Sequence, residues 1–167
     1  MKKLTFIISL LFIGMIGLLA QNQYSKEENP AFYEITSVQR IMVQAAAEVM
    51  EAENKLGMEI VRLEFDLILG NDWKYSFRNL SPNWTYLVYA QGENIQTADL
   101  DLKVMTRNSV SGDWEEVTSD TRENVAGMVA VSPTEGRQYA IGVKIAKYKE
   151  GFTGTHYFIM IAHKKPE

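Results

Sequence analysis

From Met58 onward, apolar residues recur at every second position in short runs divided by turn residues, and no other feature constrains the fold as strongly. Val61, Leu63, Phe65, Leu67 and Leu69 alternate with Arg62, Glu64, Asp66 and Ile68. Successive side chains of a strand point to opposite faces, so this run predicts a strand with one apolar and one mostly polar face. Gly70-Asn71-Asp72 turns the chain into a second run. There Trp73, Tyr75 and Phe77 alternate with Lys74, Ser76 and Arg78, and the three rings are expected to face the core. Further runs cover Tyr86 to Ala90, Leu100 to Val104, Trp114 to Thr118, Val125 to Val131, Tyr139 to Ile145 and His156 to His163. Eight strands without an intervening helical stretch indicate an antiparallel sandwich or barrel and exclude a parallel α/β enzyme fold.

The residues before the strands have a different period. Ile35, Val38, Met42, Ala45, Val49, Ala52 and Leu56 follow helical spacing and predict one long amphipathic helix over 34–57. Thr36 with Gln39 has the form of a capping box, and Gly57 stands where a left-handed terminator belongs. The stripe is rich in Ala and Met, which favours packing on the protein's own sheet. Its heptad spacing leaves an oligomer through the helix as the alternative.

Residues 1–20 read as a secretory signal: Lys2-Lys3, the apolar stretch from Leu4 to Leu19, then Ala20 before the polar Gln21. Residues 21–33 read as a polar linker and 58–167 as the β domain. A periplasmic or secreted protein is expected, with no stable membrane insertion once the signal is cleaved. The signal carries Lys2 and Lys3 and no acid, so its removal takes the net charge from −4 to −6. With scattered basic residues, that charge argues against nucleic acid as a partner. There is no cysteine, so neither disulfides nor a thiol nucleophile is available.

The stretch from about Leu63 to Ala162 resembles the bacterial pre-peptidase C-terminal domain. The residues that carry this are Trp73-Lys74-Tyr75-Ser76-Phe77, Asp99-Leu100-Asp101-Leu102, the turn at Ser119-Asp120, Gly136 to Val143 in a Gly-x-x-Tyr-x-Ile-x-Val pattern, and Tyr157, Ile159 and Ile161. The resemblance implies a jelly-roll-like β-sandwich on an exported bacterial protein, non-catalytic and concerned with secretion, localisation or binding. The expected fold is therefore mainly β, an eight-stranded antiparallel β-sandwich preceded by one long helix. The chain departs from the family's usual setting by carrying no peptidase domain.

Chemistry-bearing residues are few. The two histidines, His156 and His163, flank the last run at a spacing that puts them on opposite faces. They are also too far apart to share a metal. Glu64 with Asp66, and Asp99 with Asp101, are same-face carboxylate pairs expected to decorate a solvated strand face. Paired carboxylates also serve glycoside hydrolysis, so a small secreted carboxylate-dependent hydrolase is the alternative function. Asp99 and Asp101 with Asp120 form a candidate calcium set, because calcium takes oxygen ligands. Among the aromatic residues, Trp84 follows a turn, while Tyr148 and Phe152 border the Gly151–Gly154 loop. These three are the candidate contacts for a protein or glycan partner.

Overall fold

The computed structural model describes residues 36–164. The signal and linker expectations, and Ile35 of the helical stripe, lie outside them. The elements are α1 (Ser37–Asn54), β1 (Glu59–Leu69), β2 (Lys74–Leu80), β3 (Thr85–Gly92), β4 (Thr97–Arg107), β5 (Trp114–Asp120), β6 (Ala126–Val131), β7 (Arg137–Tyr148) and β8 (Gly154–Lys164). The strands form two four-stranded antiparallel sheets in the orders β1-β8-β3-β6 and β2-β7-β4-β5. Every connection except β4 to β5 passes from one sheet to the other. The eight-stranded β-sandwich preceded by a helix is thus the observed fold.

The main core lies between the sheets. Leu100, Leu102 and Val104 of β4 and Ile141, Val143 and Ile145 of β7 meet Val88, Ala90, Ile159 and Ile161 from the opposite sheet. All ten are buried, as the alternation in β3, β4 and β7 implies. In β8 the run from Tyr157 to Ala162 is buried on both faces. Its odd positions enter the core, and Phe158 and Met160 face α1.

Helix α1 covers the outer face of the β1-β8-β3-β6 sheet, called here the covered sheet. Ile41, Ala45 and Ala52 are buried against Phe158 and Met160, with Val49, Ile60, Leu63 and Tyr89 around them. The two alanines let the helix backbone come close to the sheet. The buried stripe is rotated from the expected one, for Val38, Met42 and Leu56 are exposed and Ile41 is buried. A 3.6-residue helix drifts by about 20° per heptad against a 3.5-residue repeat. The helix ends at Gly57, whose φ is +62°, and the Met58 amide donates to the Ala52 carbonyl at 3.0 Å. That bond satisfies a carbonyl the helix leaves open, and glycine adopts the required φ at least cost.

Polar bonds fix where α1 sits. Arg40 Nε donates to Oε1 of the fully buried Glu93 at 2.9 Å. Gln44 Nε2 donates to the Gly92 carbonyl and to Asn94 Oδ1, and the Ser37 hydroxyl lies 3.0 Å from His156 Nδ1.

The edges of the sandwich are closed by carboxylates, and here two expectations are overturned. Glu64 leaves the solvated face expected of it, with its side chain 19% exposed, whereas that of Asp66 stays half exposed. Both point from β1 across to β2, the edge strand of the other sheet. Glu64 accepts hydrogen bonds from Ser76 Oγ at 2.8 Å and from Arg78 Nη2, and Asp66 pairs with Lys74 Nζ at 2.7 Å. Because Lys74, Ser76 and Arg78 face inward, Tyr75 and Phe77 must face outward. The two residues are 39% and 47% exposed and lie outside the core. Only Ile68 and Leu80 anchor these two strands in the core. At the other edge Asp120 of β5 accepts from the Met128 amide of β6 at 3.0 Å.

Candidate functional site

The outer face of the β2-β7-β4-β5 sheet, the open sheet, carries no helix. Cross-strand register decides which residues share it. Tyr75 pairs with Gly142, Gly142 with Lys103 and Lys103 with Ser119. Phe77 pairs with Ala140, Ala140 with Met105 and Met105 with Glu116. Opposed residues of a ladder point to the same side, so these two rows form one surface.

The floor is made of small residues. A Cβ at Gly142 would stand 2.8 Å from Tyr75 Cε1 and 3.1 Å from Trp73 Cε3, which means that the two rings lie down over the bare glycine. Trp73 and Tyr75 stack at a centroid distance of 6.4 Å and an interplanar angle of 24°. At the other end Phe77 and Trp114 meet at 5.6 Å. Their strands are the two edges of the sheet, about 14 Å apart at three strand spacings. The rings therefore reach toward each other across the Ala140–Met105 pair.

Cations stand among the rings. Lys103 Nζ is 4.0 Å from the Trp73 ring centroid and 5.4 Å from that of Tyr75. Lys144 Nζ is 6.0 Å from Trp73, and the Arg107 guanidinium carbon is 5.6 Å from Trp114. An ammonium or guanidinium over an aromatic face is drawn by the ring quadrupole, by about 0.5–1 kcal/mol at exposed sites. Lys144 also lies 4.0 Å from Asp101. Partial burial and the neighbouring Asp99 raise the Asp101 carboxyl above the usual range against the pull of Lys144, with Asp120 adding to the rise.

The residues singled out in the sequence sit elsewhere. Trp84 is partly buried at the start of β3, after Asn83 at φ +35°, with its ring 4.0 Å from that of His163. Tyr148, at the end of β7, packs on the core and its hydroxyl donates to the Gly70 carbonyl at 2.6 Å. Phe152 is exposed in the loop before β8. The 11 residues of β8 separate the Trp84 end from the Phe152 end by roughly 33 Å, so the three rings share no surface.

The calcium set does not assemble. Asp101 is on the outer face, whereas Asp120 pairs with the core residue Leu102 and points inward. Arg122 grips Asp120 with two bonds of 2.9 and 2.7 Å. This grip, reinforced by the Met128 and Arg122 amides against some desolvation, holds the carboxyl well below the usual range. Asp99 Oδ1 accepts from the Asn124 amide at 3.1 Å. Among the described residues no group of three or more His, Cys, Asp or Glu is placed to hold a metal ion.

Sequence reasoning missed the open-sheet face because it took an apolar side for a buried side. The available signal was the charge match between Glu64 and Asp66 on one strand and Lys74 and Arg78 on the next. No protein-family model and no curated protein matches the chain. Among solved structures it is similar to the periplasmic inhibitor of g-type lysozyme PliG from Aeromonas hydrophila, at 11% identity and a TM-score of 0.46 over 62% of this chain and 85% of that one. It is also similar to the Yersinia pseudotuberculosis-derived mitogen, at 12% and 0.47 over 65% and 89%. A third is a CBM4 structure, at 11% and 0.38 over 68% and 83%. Among the described residues no helix is long and apolar enough to cross a membrane.

Proposed function

We propose that the chain is an exported, non-catalytic binding protein of the bacterial envelope or exterior, and that it recognises a glycan with the outer face of the open sheet. One observation carries the reading. Trp73, Tyr75, Phe77 and Trp114 form two ring pairs over a floor of Gly142, Ala140 and Met105, on the sheet face that α1 leaves bare. Flat, amphipathic rings stack on the apolar faces of sugars while their polar edges stay wet. A sheet surface offers an extended platform, which suits a polymer better than a small molecule that needs a concave pocket. Export rests on the Lys2-Lys3, Leu4 to Leu19 and Ala20 pattern.

The hydrolase alternative is not favoured. Glu64 is bound by Ser76, Arg62 and Arg78, and Asp66 by Lys74, so the carboxylates of this pair are taken up by partners on their own and the neighbouring strand. Affinity electrophoresis of the purified protein in gels containing soluble polysaccharides tests the proposal. Trp73→Ala/Trp114→Ala should weaken binding about tenfold or more, a loss of about 1.4 kcal/mol. Trp84→Phe should leave it unchanged. Unchanged binding by a folded double variant would refute the assignment of the face.

A further inference from the structure

We infer that the open-sheet face is selective for acidic polysaccharides, whose carboxylates are met by Lys103 and Arg107. This rests on the reading of that face as a glycan platform and names the class of glycan. Positive charge gathers at one place on a negative chain. The chain is net negative, at −4, yet Lys103, Lys144 and Arg107 all stand among the rings of this one face. Asp101 and Glu116 on the same face keep their charge but pair with neither Lys103 nor Arg107. Asp101 lies 4.0 Å from Lys144, and Glu116 Oε1 accepts from the Ser119 hydroxyl at 2.7 Å. Neither Lys103 nor Arg107 forms an ion pair with a carboxylate among the described residues, and each cation rests on an indole.

A cation parked on a ring is held weakly and is only partly hydrated. It can turn to a ligand carboxylate, for which it gains a charge-assisted hydrogen bond. The ring face it leaves is then free to stack on a sugar. The two cations stand four residues apart on β4, roughly 13 Å along the strand. They flank the floor residue Met105 and lie beside opposite ring pairs, Lys103 by Trp73 and Tyr75, Arg107 by Trp114. A chain laid along β4 would therefore meet a positive charge beside each ring pair, and an acidic polymer supplies the matching charge repeatedly along its length. A neutral glycan would leave both cations unmatched.

The test is affinity electrophoresis against polygalacturonate and alginate as acidic polymers, laminarin and mannan as neutral ones, and poly-L-glutamate as an acidic polypeptide. Polygalacturonate or alginate should be bound at least about tenfold more tightly than laminarin or mannan. The preference should fall about tenfold in Lys103→Gln/Arg107→Gln, and binding should weaken as salt is raised, because screening shortens the reach of exposed charges. Trp73→Ala/Trp114→Ala should also abolish it. Equal binding of neutral and acidic polysaccharides, still dependent on the tryptophans, would overturn the charge inference while leaving the platform intact. Binding of poly-L-glutamate as tight as that of polygalacturonate would overturn it in favour of an acidic protein partner. Retention by none of the polymers, with the protein folded by circular dichroism, would overturn both the inference and the reading beneath it.

Discussion

Removing the Glu64 carboxylate should loosen the sandwich at the β1–β2 edge. Glu64 accepts from Ser76 at 2.8 Å, from Arg62 at 3.0 Å and from Arg78, and its side chain is 19% exposed. A hydrogen bond to a charged group contributes about 1.5–3 kcal/mol when well shielded. Here Arg78 and Arg62 are 32% and 54% exposed, so solvent screening reduces the figure. A coupling of about 1–2 kcal/mol between Glu64 and Arg78 is expected. Urea melts of Glu64→Ala, Arg78→Ala and the double variant form the cycle that isolates it. Burial opposes ionisation of Glu64, but the bonds from Ser76, Arg78 and Arg62 prevail and its carboxyl is held below its ordinary value of 4.5. The folded form thus favours the charged state. The stability this adds is present above pH 4.5 and is lost as pH falls through the lower folded value. The coupling measured at pH 7 should therefore shrink on acidification. A coupling below about 0.3 kcal/mol at pH 7 would refute the claim that this edge is clasped by charge.

Other outcomes follow from the same structure. Leu102→Ala or Ile141→Ala, each fully buried, should cost about 2–5 kcal/mol in urea melts, and a loss under about 1 kcal/mol would contradict their placement. Gly142→Ala should displace the Tyr75 ring and weaken glycan binding severalfold while changing stability by about 1 kcal/mol or less, since crowding is relieved by an exposed ring and offset by the better strand propensity of alanine. Unaltered binding would show that the ring does not rest on the glycine. N-terminal sequencing of protein from cell fractions should find Gln21 first, and an intact Met1 on membrane-bound protein would refute the export reading.

The sandwich was legible wherever one face of a strand is buried in the ordinary way. In β4 and β7 the alternation named the core residues directly, because Leu100, Leu102, Ile141 and Val143 have polar or small neighbours. β8 was legible as a strand, and the long apolar run from Tyr157 to Ala162 shows in retrospect that a second layer covers it. The two edge strands were misread because alternation gives two faces without saying which is inside. In β1 the apolar side lies on the outer face of the covered sheet, where Leu63 packs under α1 and Val61, Phe65, Leu67 and Leu69 stay exposed, and in β2 it lies on the open face. The polar sides turn inward because complementary charges on neighbouring edges neutralise one another there. The helix was legible as an element, though it runs Ser37–Asn54 against the expected 34–57, and its buried stripe was rotated by the difference between 3.5 and 3.6 residues per turn. The candidate site was hidden by the same inversion, since Trp73, Tyr75 and Phe77 were assigned to the core. The carboxylates of Asp101 and Asp120 were separated by register, which spacing along a chain does not reveal.

The central claim is that a glycan is received by the outer face of the open sheet. The three tryptophans test it directly, because Trp73 and Trp114 lie on that face and Trp84 lies at the end of the sandwich. Each indole N–H gives its own signal in a proton–nitrogen correlation spectrum. Titration with oligogalacturonate should shift the Trp73 and Trp114 signals together with the Gly142 amide, and leave Trp84 in place. Shifts confined to Trp84, or to residues of α1 and the covered sheet, would contradict the account.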